Sequence, residues 1–227
     1  MTTTTKKKVG RPPDEALRER RQEEILDAAA EIFAQHGYLT TDVQQVADAL
    51  EVGKGTIYRY YPSKEQLFLA AADRGMQRLK ETVDRSGEGV TDPLDRIEKA
   101  IIAYLAFFRE NPHHVELLIQ ERAAFRDRKK PTYFQDYVNR ESARGPWKNL
   151  LRGLITAGRL REMNVDRLLD VLSDMVYGTM FTHYITGQHK TLAEQAQDIL
   201  EVCFFGILSD RERQQRRAGQ PGGEQSV

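Results

Sequence analysis

Cysteine is nearly absent from this chain of 227 residues, and long hydrophobic runs are missing altogether. The single cysteine, Cys203, has no partner for an intrachain disulfide and supplies only one thiolate to a metal, so neither a disulfide framework nor a cysteine zinc site is expected. No stretch reaches the roughly 18 consecutive apolar residues of a membrane span. No apolar segment follows the N-terminal lysines as it does in a secretory signal. These absences predict a cytoplasmic protein.

Sequence signatures of catalysis are missing as well. The chain has no Walker loop, no G-x-S-x-G elbow and no H-E-x-x-H pair. His113 and His114 are adjacent, so their side chains diverge on a helix, and surface or capping roles are expected for both. Cys203 stands in an apolar run and is expected to be a small buried hydrophobe. We therefore predict no enzyme activity, no catalytic residue, no metal and no cofactor.

The net charge is zero, but the charges are unevenly distributed. The chain has 34 basic and 34 acidic side chains. Residues 1–13 carry four bases and no acid, and residues 52–64 carry three bases and no acid, so the remaining segments hold seven more acids than bases. Two acid-free basic segments in an otherwise acidic chain indicate a localised surface for a polyanion. A flexible tail and one solvated helix face are the alternative that charge alone allows.

Helical periodicity dominates the chain, and no segment alternates with the period of two that is typical of a strand. Capping residues and prolines divide the sequence into about nine helices. The sequence predicts an all-α protein with a compact three-helix head. We expect a disordered basic arm, the head, a second helical domain and a disordered tail, at residues 1–13, 14–62, 63–212 and 213–227.

Two short helices in the head are joined by a tight turn, which is the outline of a helix-turn-helix. They are predicted at about 42–50 and 54–61, and Pro62 disfavours continuation of the second. Ile57 and Tyr61 lie four residues apart and are expected to pack inward. Thr56, Arg59 and Tyr60 then lie on the other side, where a recognition helix meets DNA.

The run from Thr41 to Ala47, TDVQQVA, and the run from Gly53 to Glu65, GKGTIYRYYPSKE, resemble the signature of the tetracycline-repressor (TetR) family of bacterial transcriptional regulators. The resemblance covers roughly residues 20–68, and beyond residue 70 only the architecture agrees. It implies an N-terminal helix-turn-helix DNA-binding domain, here 14–62, followed by a C-terminal ligand-binding and dimerisation domain.

The resemblance also implies DNA contacts, residue by residue. Arg59 occupies the variable position between two tyrosines and is the candidate for a bidentate contact to guanine. Gln44 would reach a base, and Tyr58 the backbone or a thymine methyl. The remaining members of the set would meet phosphates or base edges: Thr41, Lys54, Gly55, Thr56, Tyr60 and Lys64.

Two positions depart from the family pattern. The family commonly has glycine where Glu51 stands and serine where Gly53 stands. A non-glycine residue in a left-handed turn costs roughly 1 kcal/mol, and a glutamate near phosphate could weaken DNA binding. The basic arm contains Gly10-Arg11-Pro12, which resembles half of an AT-hook for the minor groove. Nonspecific attraction of this arm to phosphate is at least as good an interpretation.

The second domain is expected to serve dimerisation and ligand binding. Its last two helices carry wide apolar stripes, which a monomer core or a two-fold dimer interface would both explain. The dimer is favoured because one short recognition helix reads too few base pairs. Aromatic residues of the middle and late helices are predicted to line a small-molecule pocket: Tyr104, Phe107, Phe108, Phe125, Trp147, Tyr177 and Phe181.

The sequence therefore predicts a dimeric repressor that binds a palindromic operator in double-stranded DNA and is released by a small-molecule effector. An architectural DNA-binding protein without a ligand is the alternative. The sequence does not name the effector, the operator or the target genes.

Overall fold

The computed structural model describes residues 15–126, 144–187 and 190–206. Within these ranges the chain is all-α, as predicted, with no strand and nine α-helices. In chain order they are α1 Glu15–His36, α2 Val43–Ala49, α3 Lys54–Tyr60, α4 Lys64–Ser86, α5 Pro93–Glu110, α6 Pro112–Ala124, α7 Gly145–Thr156, α8 Val165–Thr186 and α9 Leu192–Leu200. One π-helical turn, Glu201–Phe205, follows α9. The predicted basic arm, 1–13, and tail, 213–227, lie outside the described residues.

Helix starts follow the capping residues of the sequence. Asp42 opens α2 with a reciprocal capping box to Gln45, and Thr191 opens α9 with the same arrangement to Glu194. Each box satisfies two backbone N–H groups that the first helical turn leaves without a partner. The sequence spacing offers Thr41 or Asp42 as the cap of α2 and Thr191 with Glu194 for α9, and the structure has Asp42 and Thr191.

Asn111 does not cap α6 as the Asn-Pro pair predicts. Its side-chain amide turns back and donates to the carbonyl oxygen of Phe107, 2.8 Å away, at the end of α5. Asn111 is both the last cap of α5 and the first cap of α6, and its side chain satisfies the earlier helix. The sequence could not decide between the two because both helices leave backbone groups without partners there.

Two hydrophobic cores share α4. The first half of α4, with Leu67 and Phe68, packs with α1, α2 and α3 in the head core. Further along, Leu79 packs in the body core with α5, α7, α8 and α9. The predicted boundary between residues 62 and 63 therefore falls just before a helix that belongs to both parts and connects them.

The C-terminal end of α6 is docked on the head. Gln120 donates from Nε2 to the carbonyl oxygen of Phe33, 2.9 Å away, and its Oε1 accepts from the backbone N–H of Tyr38 at 2.8 Å. The first bond gives the Phe33 carbonyl oxygen a second donor beside the Gly37 N–H, and the second bond satisfies the N–H of Tyr38 just after α1. Leu117 is fully buried in the head core. α6 is thus a second link between head and body.

The prediction of Phe125 as a ligand-pocket residue is wrong. Its ring packs in the head, 4.9 Å from the ring of Tyr38 and 5.8 Å from that of Phe68. Phe125 follows α6 directly, and the docking of α6 on the head carries it away from the body. An apolar pattern shows that a residue is buried but not which of two cores contains it.

An ion-pair cluster on the surface also fixes α1 against α4. Glu23 of α1 accepts hydrogen bonds from Arg74 and Arg78 of α4, at 2.9 and 2.8 Å, and Arg78 also pairs with Asp27. Partial burial raises the pKa of Glu23, but the hydrogen bonds from the two arginines outweigh this and hold it below its usual value. Because the two arginines share carboxylate partners in one network, the cluster stabilises the packing of α1 on α4 more than a single exposed ion pair would.

α4 and α6 approach closely where Gly75 faces His114. His114 is 4% exposed, and its ring stacks on Phe107 with the ring centroids 5.5 Å apart. Burial lowers the pKa of His114 to about 3, so the ring is neutral at ordinary pH. The expected surface or capping role for this histidine is therefore wrong, and it is a core residue.

We expect Gly75→Ala to destabilise the protein. A Cβ at position 75 would lie 2.5 Å from Nδ1 of His114, whose ring cannot move away from Phe107 without repacking the core. Overpacking of this kind costs about 1–3 kcal/mol, which urea denaturation would measure. Gly153→Ala is the control, because that glycine lies in α7 with open space around it and should gain about 0.5–1 kcal/mol. Equal effects of the two substitutions would contradict the close approach.

Candidate nucleic-acid interface

α2 and α3 form the helix-turn-helix that the spacing predicts. Ile57 is the fully buried residue of α3, and it packs in the head core with Val46 and Phe33. The turn between the helices closes with a hydrogen bond from the Val52 N–H to the Ala47 carbonyl oxygen, at 3.0 Å. A helix of seven residues is not stable alone, so this anchoring is what holds α3 in place.

The outward face of α3 is opposite Ile57. With about 100° between successive helical residues, Gly55 and Arg59 fall at the centre of that face. Both are exposed, and Tyr58 is 39% exposed beside them. Thr56 and Tyr60 lie toward α1, each partly buried, and the guanidinium of Arg59 is 5.5 Å from the Tyr60 ring centroid. Gly55, Tyr58 and Arg59 are thus the exposed residues of α3, whereas Thr56 and Tyr60 lie at the edge of this face and Tyr60 packs in part against the head core.

The two glycines at the start of α3 leave its backbone open. A Cβ built on Gly53 or Gly55 would meet no atom within 4 Å. Gly53 supplies no side-chain cap, so the first N–H groups of α3 have no side-chain acceptor from it. A surface without side chains lets another backbone approach closely.

Lys54 is fixed to the start of α2. Its ammonium lies 2.5 Å from Oδ1 of Asp42, the capping residue of α2. The Gln44 backbone N–H, first, and Lys54, second, lower the pKa of Asp42, and the bond to Asp42 raises the pKa of Lys54. The pair ties the first turns of α2 and α3 together at an exposed edge.

Lys64 holds the loop between α1 and α2. Its ammonium donates to the carbonyl oxygens of Leu39 and Thr41, at 3.2 and 3.0 Å, and lies 4.8 Å from the ring centroid of Tyr38. An ammonium has three donors, so one is left over for a phosphate. The structure adds a loop-fastening role to the phosphate contact that the resemblance implies.

Thr41 does not present its side chain to solvent. It is 3% exposed, and its hydroxyl donates to the carbonyl oxygen of Gly37 at 2.7 Å, at the end of α1. We therefore withdraw it from the expected phosphate contacts. Gln44, the second residue of α2, is exposed, and its amide donates to Asp48 at 2.7 Å.

A cleft beside α3 contains residues that the sequence analysis did not nominate. The first turns of α1 face the Thr56, Arg59 and Tyr60 side of α3, and the cleft between them includes Arg18 and Arg21. The charge pattern does not single them out, because acidic residues are interspersed with them in the run Glu15–Glu24. Their spacing could have revealed them: Arg18 and Arg21 lie on the same side of α1 as the residues that form its core face after residue 24.

The body contains a mainly apolar cavity of about 220 Å³. Two of the predicted pocket residues, Tyr104 and Trp147, line it, together with Ser173 and side chains of α4, α5, α7 and α8. Phe108 instead borders a second, smaller cavity between α5, α6, α8 and α9. The structure therefore brings together only part of the predicted aromatic set.

Three other predicted pocket residues border neither cavity. Phe107 is buried against His114 and Phe108. Tyr177 and Phe181 stack on each other along α8, with ring centroids 5.8 Å apart. In the described parts of the chain, no group of three or more His, Cys, Asp or Glu residues is placed to hold a metal ion. No helix in the same ranges is long and apolar enough to cross a bilayer.

Comparison with known proteins identifies the head. The family profile described as bacterial regulatory proteins, tetR family, matches residues 25–71, which run from α1 into α4. The transcriptional regulator HbdR of Aromatoleum sp. (strain CIB) is 32% identical over 93 residues, 41% of each chain. Residues 25–71 are therefore a TetR-type helix-turn-helix domain.

Similarity to TetR proteins extends over the body at lower identity. The transcriptional repressor KstR2 of Mycobacterium tuberculosis is 25% identical over 195 residues, which cover 84% of this chain and 94% of KstR2. The crystal structure of FadR from Bacillus subtilis in complex with stearoyl-CoA superposes with a TM-score of 0.63 at 20% identity, over 82% of this chain and 99% of FadR. At that identity the superposition establishes the fold alone, a helix-turn-helix head on a helical body.

Glu51 marks a departure from the TetR pattern in the turn between α2 and α3. Its φ angle is +53°, and it is the one described residue other than glycine with a positive φ. An L-residue is strained in this left-handed region, whereas glycine is not. The chain therefore adopts the turn that the family builds with glycine and retains the strain of a side chain there.

Substitution of Glu51 by glycine is expected to raise the free energy of unfolding by about 1 kcal/mol, because it removes the left-handed strain. Glu51→Gln is the matched control: it removes the same charge but keeps a side chain at φ +53°. Urea denaturation of both variants separates strain from charge. A gain for glutamine as large as that for glycine would assign the effect to charge instead.

Proposed function

We propose that the chain is a dimeric, cytoplasmic repressor that binds a near-palindromic DNA operator and leaves it when a small molecule enters the body. The observation that carries the proposal is α3 itself, with Ile57 fully buried on one side and Gly55 and Arg59 exposed on the other. This is the division of faces that a recognition helix needs to enter the major groove. The relatives, which are transcriptional regulators, support the same function.

Each residue of the expected contact set except Thr41 has a place in the proposed DNA complex. Arg59 reads a guanine with its guanidinium fork, and Gln44 reaches a neighbouring base from α2. Tyr58 contacts the backbone or a thymine methyl. Phosphates and base edges near the helix ends are met by Lys54, Gly55, Thr56, Tyr60 and the remaining donor of Lys64.

Dimerisation is supported by apolar residues left exposed along the last helices. Val171 and Ile185 are 14 residues apart on α8, with Gly178 midway, and this spacing keeps them near one face. Ile185 is 63% exposed, and Phe205, after α9, is 66% exposed. We assign these exposed apolar side chains to the interface with a second copy of the chain. A two-fold dimer would place two α3 helices one DNA turn apart, about 34–36 Å.

The cavity in the body supports an apolar effector. Of its lining side chains, only Tyr104, Trp147 and Ser173 carry polar atoms. Its volume, about 220 Å³, is below the roughly 300–1,000 Å³ typical of small-molecule sites. A ligand would therefore push α5, α7 and α8 apart on entry. Because a FadR structure holds stearoyl-CoA, we propose an acyl chain or a similar lipid-like group as the ligand.

α4 and α6 would transmit this movement to the head. Val83 of α4 lines the cavity, and Lys64 at the other end of the same helix, about 28 Å away, holds the loop before α2. Through Gln120, α6 bonds to the same region of the head. A ligand that shifts either helix changes the spacing of the two α3 helices. Coupling of about 1–3 kcal/mol gives a 5- to 150-fold change in operator affinity.

Sites selected from a random pool of duplexes should converge on a near-palindrome. On that site, Arg59→Ala should relax the preference at one base pair of each half and cost about 1–3 kcal/mol. Tyr58→Ala should weaken binding, and Arg152→Ala, an exposed arginine on α7, should leave it unchanged. Fluorescence anisotropy would measure all three. Selection that yields no preferred sequence would favour the architectural alternative.

Ligand entry should be visible in the intrinsic fluorescence, because Trp147 is the single tryptophan and lines the cavity. Titration with straight-chain acyl-CoA thioesters and free fatty acids should shift the Trp147 emission and lower operator affinity at matching concentrations. Ala100→Leu, which fills the cavity wall, should weaken both effects. Operator release without any change at Trp147, or in an Ala100→Leu variant as readily as in the wild type, would contradict this site.

A further inference from the structure

The cleft between α1 and α3 is built as a charged wall beside the recognition helix. Its lining from α1 includes Arg18, Arg21 and Gln22, and its lining from α3 includes Thr56 and Arg59. We propose that the first two turns of α1 bind the phosphodiester backbone of the duplex whose major groove α3 enters. This inference rests on the proposed function and extends it to a helix outside the helix-turn-helix.

The pattern of α1 explains why these arginines face the cleft. Ile25 and Ala29 are fully buried and define the core side of the helix. Gln22 and Arg18 continue the same stripe toward the N-terminus, at spacings of three and four residues. On the N-terminal side of Ile25 this stripe is not covered by the core. It carries long polar side chains there, on the side of α1 that faces α3.

The cleft has more basic than acidic side chains, which favours an anion. Arg18, Arg21 and Arg59 stand against Glu15 and Glu19. Arg21 also pairs with Glu24 at 2.9 Å, and both side chains are well exposed. Exposed pairs of this kind contribute about 0–1 kcal/mol, so a phosphate can replace the carboxylate. A guanidinium fork matches two phosphate oxygens better than an ammonium does.

The position of α1 beside α3 also favours a contact with phosphate. A helix in the major groove is flanked by the phosphates of both strands. On the α2 side of α3, Lys54 and the start of α2 face one strand. On the opposite side the first turns of α1 lie across the cleft from Thr56 and Tyr60. Arg18 and Arg21 would therefore contact the second strand, so that the duplex is held from both edges of the groove.

The test compares two double variants that lose the same charge. Arg18→Gln/Arg21→Gln removes the cleft arginines, and Arg85→Gln/Arg152→Gln removes two exposed arginines of α4 and α7 that do not line it. Affinity is measured by anisotropy against salt concentration, with a labelled duplex carrying the selected site and with a scrambled duplex of the same length. Thermal unfolding confirms that both variants fold.

We expect the salt dependence of the cleft variant to fall by about 0.9 in log–log slope for each phosphate that the variant no longer neutralises. The fall should be equal on the selected and scrambled duplexes, because phosphate contacts carry no sequence information. Arg18→Lys/Arg21→Lys should keep most of the slope, and Glu19→Gln should raise affinity. The control variant should match the wild type.

Three outcomes would overturn the proposal, and they can be distinguished. If the wild type binds the duplexes but the cleft and control variants have equal slopes, the α1 contact is refuted and the proposed function stands. A wild type that binds no duplex refutes both. A cleft variant that loses affinity only for the selected site would assign Arg18 and Arg21 to base recognition and also overturn the phosphate contact.

Discussion

The burial of Ile57 is the constraint on which the head depends. α3 has only seven residues, fewer than an isolated helix needs to persist in water. It exists because Ile57 is enclosed by the head core with Val46, Phe33 and Phe68. The same contact fixes the rotation of α3 about its axis, and so determines that Gly55 and Arg59 point outward. One buried side chain therefore sets both the stability of α3 and the direction of its exposed face.

The head is in turn fixed to the body by two helices. α4 contributes to both cores, and α6 ends on the head through Leu117, Gln120 and Phe125. Where these two helices meet, Gly75 admits the flat ring of His114. Because closely packed helices resist compression, a displacement at one end of a helix reaches the other end when the whole helix moves, not when it bends. The proposed effector response therefore requires the helices to move as units.

Sequence reasoning was accurate where local rules apply. The capping boxes of α2 and α9 and the left-handed turn at Glu51 follow from the chemistry of a few adjacent residues. It was inaccurate at Asn111, where two helix ends compete for one side chain. It was also inaccurate at Phe125 and His114, whose periodicity indicates neither which core they join nor which neighbour allows the contact.

The sequence by itself determined the all-α class, the helix-turn-helix and the burial of Ile57 opposite Arg59, because periodicity, capping and motif spacing act within a few helical turns. Only the tertiary structure decided that Thr41 is buried, that Lys64 fastens a loop, and that Tyr104 and Trp147 share a cavity while Phe107 does not. It also decided that Arg18 overlooks α3. Each of these depends on contacts between residues far apart in the chain, which local patterns do not encode.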